Sequence, residues 1–344
     1  MDHHPKPTPV PASAPRDGRV WLGLLTLYVV WGSTYLGIAI AVETIPPFLM
    51  AGVRFLTAGL ILLAWSIARE GRAFEPPSRR EWRDSAIVGA LLIGGGMGMV
   101  AFAEQTVPSG ITALLVAMMP VWVAVFGRVF LGERLPRLAV VGIGVGFIGV
   151  AFLVGPSAFG GQGALEPIGL LAVLISPIAW ASGSLFASHR AELPRRPLVA
   201  TGVQMLIGGA MLLVVGVATG EVGQLRLGSI SAESFAALVY LTVVGSLVAY
   251  TTYGWMLRVA PLPFVSTYAY VNPVIAVILG FVIAGEAIEP RTVVAGGIIV
   301  AAVAMIITAR GRMHAPRGAS IEVHSVETPA VGAPRPASAR AQTP

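Results

Sequence analysis

Ten apolar blocks, each long enough to cross a lipid bilayer as a helix, fill almost the whole chain between Val20 and Thr308. An α-helix rises about 1.5 Å per residue, so about 20 apolar residues are needed to cross about 30 Å of hydrocarbon. The pattern therefore predicts an all-α membrane protein with ten transmembrane helices. The predicted spans are 20–41, 47–68, 84–104, 109–131, 137–155, 167–188, 197–219, 234–256, 263–285 and 291–309.

The composition agrees with a membrane protein and argues against an enzyme. Hydrophobic residues make up 55% of the chain and charged residues 12%, a balance that would leave a soluble domain with large exposed apolar patches. The chain has no cysteine, which excludes disulfides, thiolate metal sites and cysteine nucleophiles. All five histidines fall in the terminal segments or in the loop 188–197, so none is placed as a buried base or metal ligand. No cofactor is expected.

The net charge of +6 reflects orientation in the membrane and does not indicate a nucleic-acid partner. If the N-terminus is cytoplasmic, the outer segments contain only Arg226 and Arg291, and Arg128 near the inner end of its helix can extend to the interface. This is the positive-inside pattern, and it places both termini in the cytoplasm. The inner segments contain Lys6, Arg16, Arg19, Arg69, Arg72, Arg79, Arg80, Arg83, Arg134, Arg137, Arg190, Arg195, Arg196, Arg258, Arg310, Arg312, Arg317, Arg335 and Arg340.

The chain contains an internal repeat. Residues 108–133 superpose without gaps on residues 261–286, with two prolines and a Gly-Glu pair at the same spacing. The predicted repeats are 20–155 and 167–309, with five helices each, and the segments 1–19 and 311–344 are predicted to be disordered cytoplasmic tails. Because five is odd, the second repeat must be inverted relative to the first. Inverted repeats support alternating access, although duplication can also simply build a stable bundle.

Several short motifs add a family resemblance over about residues 20–310. These are Trp31-Gly-Ser-Thr-Tyr35, Pro46-Pro47 with Arg54-Phe55, Pro120 with Gly132-Glu133-Arg134, and Asn272-Pro273 with Gly285-Glu286. The chain resembles the EamA family of the drug/metabolite transporter superfamily. That resemblance implies ten helices in two repeats, a central cavity gated by the third, fourth, eighth and ninth helices, and export across a bacterial inner membrane. The motifs do not specify the substrate.

Two ionisable residues within the predicted spans need an explanation. Arg54 lies about two turns into the second helix, where a central charge costs about 2.5–3.5 kcal/mol on insertion scales. It could attract an anionic group of a substrate, or it could form a structural pair with Glu104 or with helix-end carbonyls. Glu104, near the outer end of the third helix, could bind a substrate ammonium or a coupling proton. The alternative is an interfacial glutamate in contact with water.

Aromatic and amide side chains deep in the spans predict a cavity lining. Trp31 and Tyr35 share a stripe on the first helix, because residues at helical spacing lie on one face. A buried phenol, indole or amide needs a hydrogen-bond partner or a water-filled cavity, although packing between helices explains any one of them equally well. Met118 would add an adaptable apolar contact. The predicted substrate-binding residues are Trp31, Tyr35, Arg54, Glu104, Met118, Trp180, Ser184, Tyr250, Tyr253, Tyr268 and Asn272.

The sequence thus predicts an alternating-access transporter that exports small amphipathic metabolites, amino-acid-like or drug-like, of zwitterionic or cationic character. The alternative is a polytopic membrane enzyme or scaffold without transport activity. The scarcity of buried acids favours facilitated over proton-coupled transport. Gly142, Gly146 and Gly149 form a small-residue stripe on the fifth helix that suits helix contacts, including a possible homodimer.

Overall fold

A computed structural model of the chain describes residues 17–158, 166–260, 262–265 and 267–314. Within these residues the secondary structure is helical without strands, as the sequence predicts. Nine helices in this part of the chain are long and apolar enough to cross a membrane, and the shorter apolar helix Tyr268–Ala284 is a tenth. Most of the two predicted tails lies outside the described residues. The parts that are described, 17–19 and 311–314, lie at the ends of the first and last helices.

The ten helices agree with the predicted spans to within a few residues at most ends. The last helix extends to His314, and the ninth begins later than predicted, after a separate short helix, Leu262–Val265. In chain order they are α1 Gly18–Val42, α2 Pro47–Glu70, α3 Arg79–Ala103, α4 Ser109–Leu131, α5 Arg137–Ala158, α6 Pro167–His189, α7 Pro197–Ala218, α8 from Ala232 to Val259, α9 Tyr268–Ala284 and α10 Pro290–His314.

Local signals in the sequence set many of the helix ends. Asp17 caps α1 by accepting a hydrogen bond from Arg19 N at 2.9 Å, and Ser78 and Glu81 form a capping box at the start of α3. The two halves end a helix in the same way, because Gly132 after α4 and Gly285 after α9 have φ angles of 68° and 67°. A residue with a side chain rarely adopts this left-handed conformation, which explains the glycine of the repeated Gly-Glu pair.

The middles of α3 and α8 are π-helical, over Ala90–Gly98 and Leu241–Val248. These stretches occupy corresponding positions in the two halves. A π-helix is rare, and a long one holds the helix in a wider and less stable hydrogen-bond pattern. Residue types alone indicate mobility only in α3, through Gly94, Gly95, Gly96 and Gly98, and do not indicate the π-helical pattern.

Proline disfavours a continuous helix, yet neither Pro120 in α4 nor Pro273 in α9 lies at a break. The break in α4 lies at Ala117–Met118, and Pro120 occupies the first turn of the helical segment that follows. A proline there lacks only an N–H that would be unpaired anyway. In the second half, α9 continues through Pro273, which lies inside the helix.

The contacts between helices show the duplication, and the odd number of spans in each repeat gives the two repeats opposite orientations. Helices that are five positions apart in chain order are equivalent in the two repeats. The contact of α1 with α9 therefore corresponds to that of α6 with α4, and the contact of α1 with α8 corresponds to that of α6 with α3. The pairs α2–α7 and α5–α10 map onto themselves, so they lie at the pseudo-twofold axis. Ten helices therefore form two five-helix repeats of opposite orientation.

Glycines bring α2 and α7 into backbone contact at this axis. A Cβ atom added to Gly59 would lie 2.6 Å from Leu206 N, and one added to Gly209 would lie 2.4 Å from Leu56 N. Each glycine packs against the equivalent place on the other helix, so the contact obeys the same symmetry. Such close approach is how membrane helices associate without a hydrophobic driving force between them.

The glycine stripe of α5 is used inside the chain. A Cβ atom on Gly142 would lie 2.9 Å from Ile306, and one on Gly149 would lie 2.8 Å from Ile299, both on α10. Gly146 faces the side chain of Met118. The stripe therefore packs α5 against α10 and α4, and it gives the predicted homodimer no support.

The helix ends define two faces of the bundle. The basic face is the end at which α1 begins, and the opposite face is the end at which α1 stops. Each face has its own links between the repeats: Arg80 pairs with Glu192 at 3.3 Å on the basic face, and Ser231 N donates to Thr44 Oγ1 at 3.2 Å on the opposite face. The basic face includes loops 71–78, 132–136 and 190–196, and the opposite face includes loops 43–46, 104–108, 219–231 and 285–289.

We predict that Gly59→Ala destabilises the bundle, because its methyl group would collide with the backbone of α7. Overpacking of this kind costs about 1–3 kcal/mol. The matched control is Gly144→Ala on α5, where an added Cβ meets nothing within 4 Å. Thermal unfolding in detergent should show a lower apparent Tm for Gly59→Ala and an unchanged or higher one for Gly144→Ala. Equal Tm values would contradict the close crossing of α2 and α7.

Candidate functional site

A cavity of about 80 Å³ lies in the middle of the bundle, between the two halves. Its lining residues come from seven helices, α1, α2, α3, α4, α6, α8 and α9, so both repeats contribute to it. Most of the lining is apolar or aromatic, and Arg54 is its one residue with a formal charge. The lining residues are Trp31, Thr34, Tyr35, Ile38, Arg54, Met97, Val100, Ala113, Val116, Ala117, Met119, Pro120, Ser176, Trp180, Tyr250, Tyr268, Ala269, Asn272 and Pro273.

An aromatic cluster forms one wall of this cavity. The ring centroid of Trp31 lies 5.5 Å from that of Tyr250, 5.2 Å from that of Tyr253 and 4.9 Å from that of Tyr268. The Tyr250 and Tyr268 contacts are edge-to-face, a geometry that aromatic rings favour. Tyr253 lies outside the cavity lining, and its ring packs against the rings of Trp31 and Tyr268.

Several polar atoms of the lining have no protein partner. Within the described part of the chain, no hydrogen bond is formed by the indole N–H groups of Trp31 and Trp180 or by the hydroxyl groups of Tyr35 and Tyr250. Buried polar groups normally have partners. These four groups are therefore available to water or to a solute in the cavity.

Arg54 is buried, with 2% of its surface exposed. Its Nε donates to Ser246 Oγ at 3.0 Å, and its guanidinium carbon lies 4.6 Å from the centroid of the Phe55 ring. No carboxylate of the described residues lies within ion-pair distance of it, so the suggested structural pair with Glu104 is not formed as a direct contact. The Arg54 guanidinium is thus buried and lines the cavity, and among the described residues only its Nε has a hydrogen-bond partner.

Glu104 is also buried, but it lies outside the cavity lining. Its exposed fraction is 6%, and both carboxylate oxygens lack a hydrogen-bond partner among the described residues. The Arg54 guanidinium and the backbone N–H of Ala39 are close enough to act on it electrostatically. The alternative of an interfacial glutamate in contact with water does not describe this position.

A second buried carboxylate lies at the basic face. Asp84 is 2% exposed, and it accepts hydrogen bonds from Arg83 Nε and from the backbone N–H of Glu192, both at 2.8 Å. Asp84 is the first residue of the predicted span 84–104, a position at the boundary of the membrane, so the sequence does not indicate that it is buried. Since its partners are complete, Asp84 is explained by its structural role in joining α3 to the loop after α6.

Of the three remaining predicted site residues, Asn272 lines the cavity, whereas Ser184 and Met118 do not. With its amide oriented to satisfy both ends, Asn272 lines the cavity and donates to the carbonyls of Tyr28 and Tyr268 at 3.2 Å, which joins α1 to α9. Ser184 lies one turn along α6 from Trp180 and outside the lining. Met118 faces α5, whereas its neighbour Met119 reaches the cavity, because α4 breaks at this point.

Sequence reasoning missed several lining residues. Thr34 and Ile38 lie three and seven positions after Trp31, and Ser176 lies four before Trp180, so helical spacing alone could have found them. Met97 depends on the π-helical turn of α3, which residue types do not indicate. Ser246, which accepts a hydrogen bond from Arg54 but does not line the cavity, was also missed, because serine in a membrane helix usually bonds its own backbone.

Ten apolar helices in two inverted repeats, with a partly polar cavity between them, define a multi-pass membrane protein of the kind that moves solutes. A model of the EamA-like transporter family matches the chain twice, over residues 19–155 and 167–308. The chain therefore belongs to the EamA-like transporter family, and the resemblance drawn from its motifs is confirmed.

Individual relatives agree with this assignment. The chain is 39% identical over 285 residues to the uncharacterized inner membrane transporter YedA of Escherichia coli K12, a match that covers 82% of this chain and 89% of YedA. It is 29% identical over 254 residues to protein PecM of Dickeya dadantii, which covers 73% and 80% of the two chains. A solved crystal structure matches with a TM-score of 0.59 and 20% identity, over 86% of this chain and 99% of that one, and it supports the fold.

We predict that thiols introduced at the cavity react with a small water-soluble methanethiosulfonate. The absence of native cysteine makes single-cysteine variants unambiguous. Ala117→Cys and Ala269→Cys, which line the cavity, should react about tenfold faster than Ala276→Cys, because reactivity requires access. Ala276 is a suitable control because it lies on α9 with 0% exposure and outside the lining. Equal rates measured by mass spectrometry would mean that water does not enter this space.

Proposed function

We propose that the protein is an alternating-access transporter that carries a small amphipathic solute through the central cavity. The observation that carries this proposal is a single cavity built from both inverted repeats, because a site at their interface can be exposed to either face by moving one repeat against the other. The π-helical stretches and the break in α4 support it, since they place less rigid segments in three of the helices around the site, α3, α4 and α8.

The lining favours a solute with a carboxylate and an apolar body. Arg54 provides the formal positive charge, and the lining has no acidic residue to balance it. The rings of Trp31 and Trp180 offer apolar surfaces from the two repeats, and unpaired N–H and hydroxyl groups nearby offer hydrogen bonds. A zwitterion or an organic acid fits this arrangement better than a cation does, because a cation would be repelled by Arg54. Amino-acid-like metabolites are therefore the favoured substrate class.

The membrane and orientation follow from the flanking charges and the family. The arginines of the basic face favour placing that face, with both chain ends, in the cytoplasm. YedA, which is 39% identical, is named an inner membrane transporter, and this supports the same membrane here. The family resemblance implies export as the direction of net flux.

A set of three ligands with one phenyl body tests the role of Arg54. We expect phenylalanine and 3-phenylpropionate to bind the purified protein in lipid nanodiscs, and phenethylamine, which lacks the carboxylate, to bind much more weakly. Arg54→Gln should weaken binding of the two carboxylates about tenfold or more, since hydrogen bonds to charged groups contribute about 1.5–3 kcal/mol. Isothermal titration calorimetry measures both effects.

The matched control is Arg128→Gln, which removes an exposed arginine from α4 outside the cavity. This variant should bind all three ligands like the wild type. The proposed substrate class would be wrong if phenethylamine bound as tightly as phenylalanine, if Arg54→Gln left the affinities unchanged, or if none of the three ligands bound.

A further inference from the structure

The end of α3 contains a buried carboxylate that the protein does not satisfy. Glu104 is 6% exposed, and neither of its oxygens has a hydrogen-bond partner among the described residues. An ionised carboxylate in such surroundings is disfavoured, because burial removes water and neither the Arg54 guanidinium nor the backbone N–H of Ala39 lies in good hydrogen-bond geometry to replace it. A protonated carboxyl group avoids most of that penalty.

Three ionisable side chains from different elements act on Glu104. They are Tyr35 on α1, Arg54 on α2 and Glu286 in the segment after α9. Tyr35 and Arg54 also line the cavity, whereas Glu286 does not. Glu104 therefore lies between the candidate substrate site and the opposite face of the bundle. On α4, the buried hydroxyls of Ser109 and Thr112 also lack partners among the described residues, so polar groups without a protein partner are concentrated in this region.

Glu286 joins the two repeats at that opposite face. Its Oε1 accepts a hydrogen bond from Ser109 N at 2.8 Å and its Oε2 accepts one from Gly110 N at 3.2 Å, so it caps the first turn of α4. The side chain folds back over Gly280, where a Cβ atom would lie 2.5 Å from Oε2. Both carboxylate oxygens of Glu286 thus hold the first turn of α4 through backbone hydrogen bonds. A negative charge on nearby Glu104 would repel this carboxylate.

We propose that Glu104 is a proton-binding site that links solute binding in the cavity to closure of the opposite face. In the proposed function, the carboxylate of the solute binds Arg54. The positive charge that favours ionised Glu104 is then shared with the solute, so Glu104 keeps the proton that it has already bound from water and stays neutral while the solute is bound. Neutral Glu104 no longer repels Glu286, which keeps its contact with the N-terminus of α4.

The consequence is that the solute carboxylate and one proton move in the same direction, so export is driven by the outward gradient of the solute and not by an inward proton gradient. When the opposite face opens, water reaches Glu104, and the proton leaves with the solute. The sequence alone favoured facilitated transport because buried acids are scarce, but one unsatisfied buried carboxylate is sufficient for coupling. The coupling rests on the proposed function, whereas the proton site at Glu104 does not.

Infrared spectroscopy tests the proton site without any solute. At neutral pH, the wild-type protein in nanodiscs should show the C=O stretching band of a protonated carboxyl group. We expect the band to be lost in Glu104→Gln and kept in Glu43→Gln, which removes an exposed carboxylate on the same face. Glu104→Asp, which retains a carboxyl group, should shift the band. The proton site is wrong if the wild type lacks the band, or if the band is unchanged in both Glu104 variants.

Vesicles with a trapped pH-sensitive dye test the coupling with phenylalanine as the probe. Efflux of phenylalanine from wild-type vesicles should raise the internal pH, with one proton leaving for each phenylalanine. Glu104→Gln should reduce the proton-to-phenylalanine ratio to near zero, whatever flux remains. Wild-type phenylalanine efflux without a pH change would overturn the coupling. Absence of phenylalanine efflux would contradict the proposed function, and the infrared band would still decide the proton site.

Discussion

Hydrocarbon offers no hydrogen bonds to a peptide group, and this constraint determines the architecture of the protein. Each span must satisfy its own backbone as a helix, and each repeat contains five such helices. An odd number of spans leaves the chain on the other side of the membrane, so the second repeat has the opposite orientation. The pseudo-twofold axis, the self-paired helices α2–α7 and α5–α10, and a cavity between the repeats all follow from that inversion.

The parts of the fold that depend on local signals could be predicted from the sequence. The bounds of α4, 109–131, agree at both ends, because apolar length, a preceding proline and a terminal glycine are all visible in the residues. The π-helical stretches of α3 and α8 could not be predicted, since they depend on hydrogen-bond register and on packing against neighbouring helices. The continuation of α9 through Pro273 also depends on its surroundings, because proline alone favours a break.

In the candidate site too, some residues could be predicted from the sequence, whereas others depend on how the helices pack. Trp31, Trp180 and Tyr250 were identified because polar-tipped rings far from the interface need water or a partner. The sequence could not tell whether Met118 or Met119 lines the cavity. Successive residues point about 100° apart around a helix, and a break in the helix changes these directions. The burial of Glu104 was not predictable either, because a residue at a helix end is exposed or covered according to which elements pack over it.

The central claim is that the two repeats move against each other, so that one face opens while the other closes. Pulsed electron paramagnetic resonance measures this directly with spin labels at positions 80 and 192 on the basic face, and at 44 and 231 on the opposite face. Each pair joins the two repeats. As pH and phenylalanine are varied in lipid, the account predicts a short and a long distance for each pair, with populations that change in opposite directions on the two faces. A single unchanging distance on both faces, or both pairs lengthening together, would contradict it.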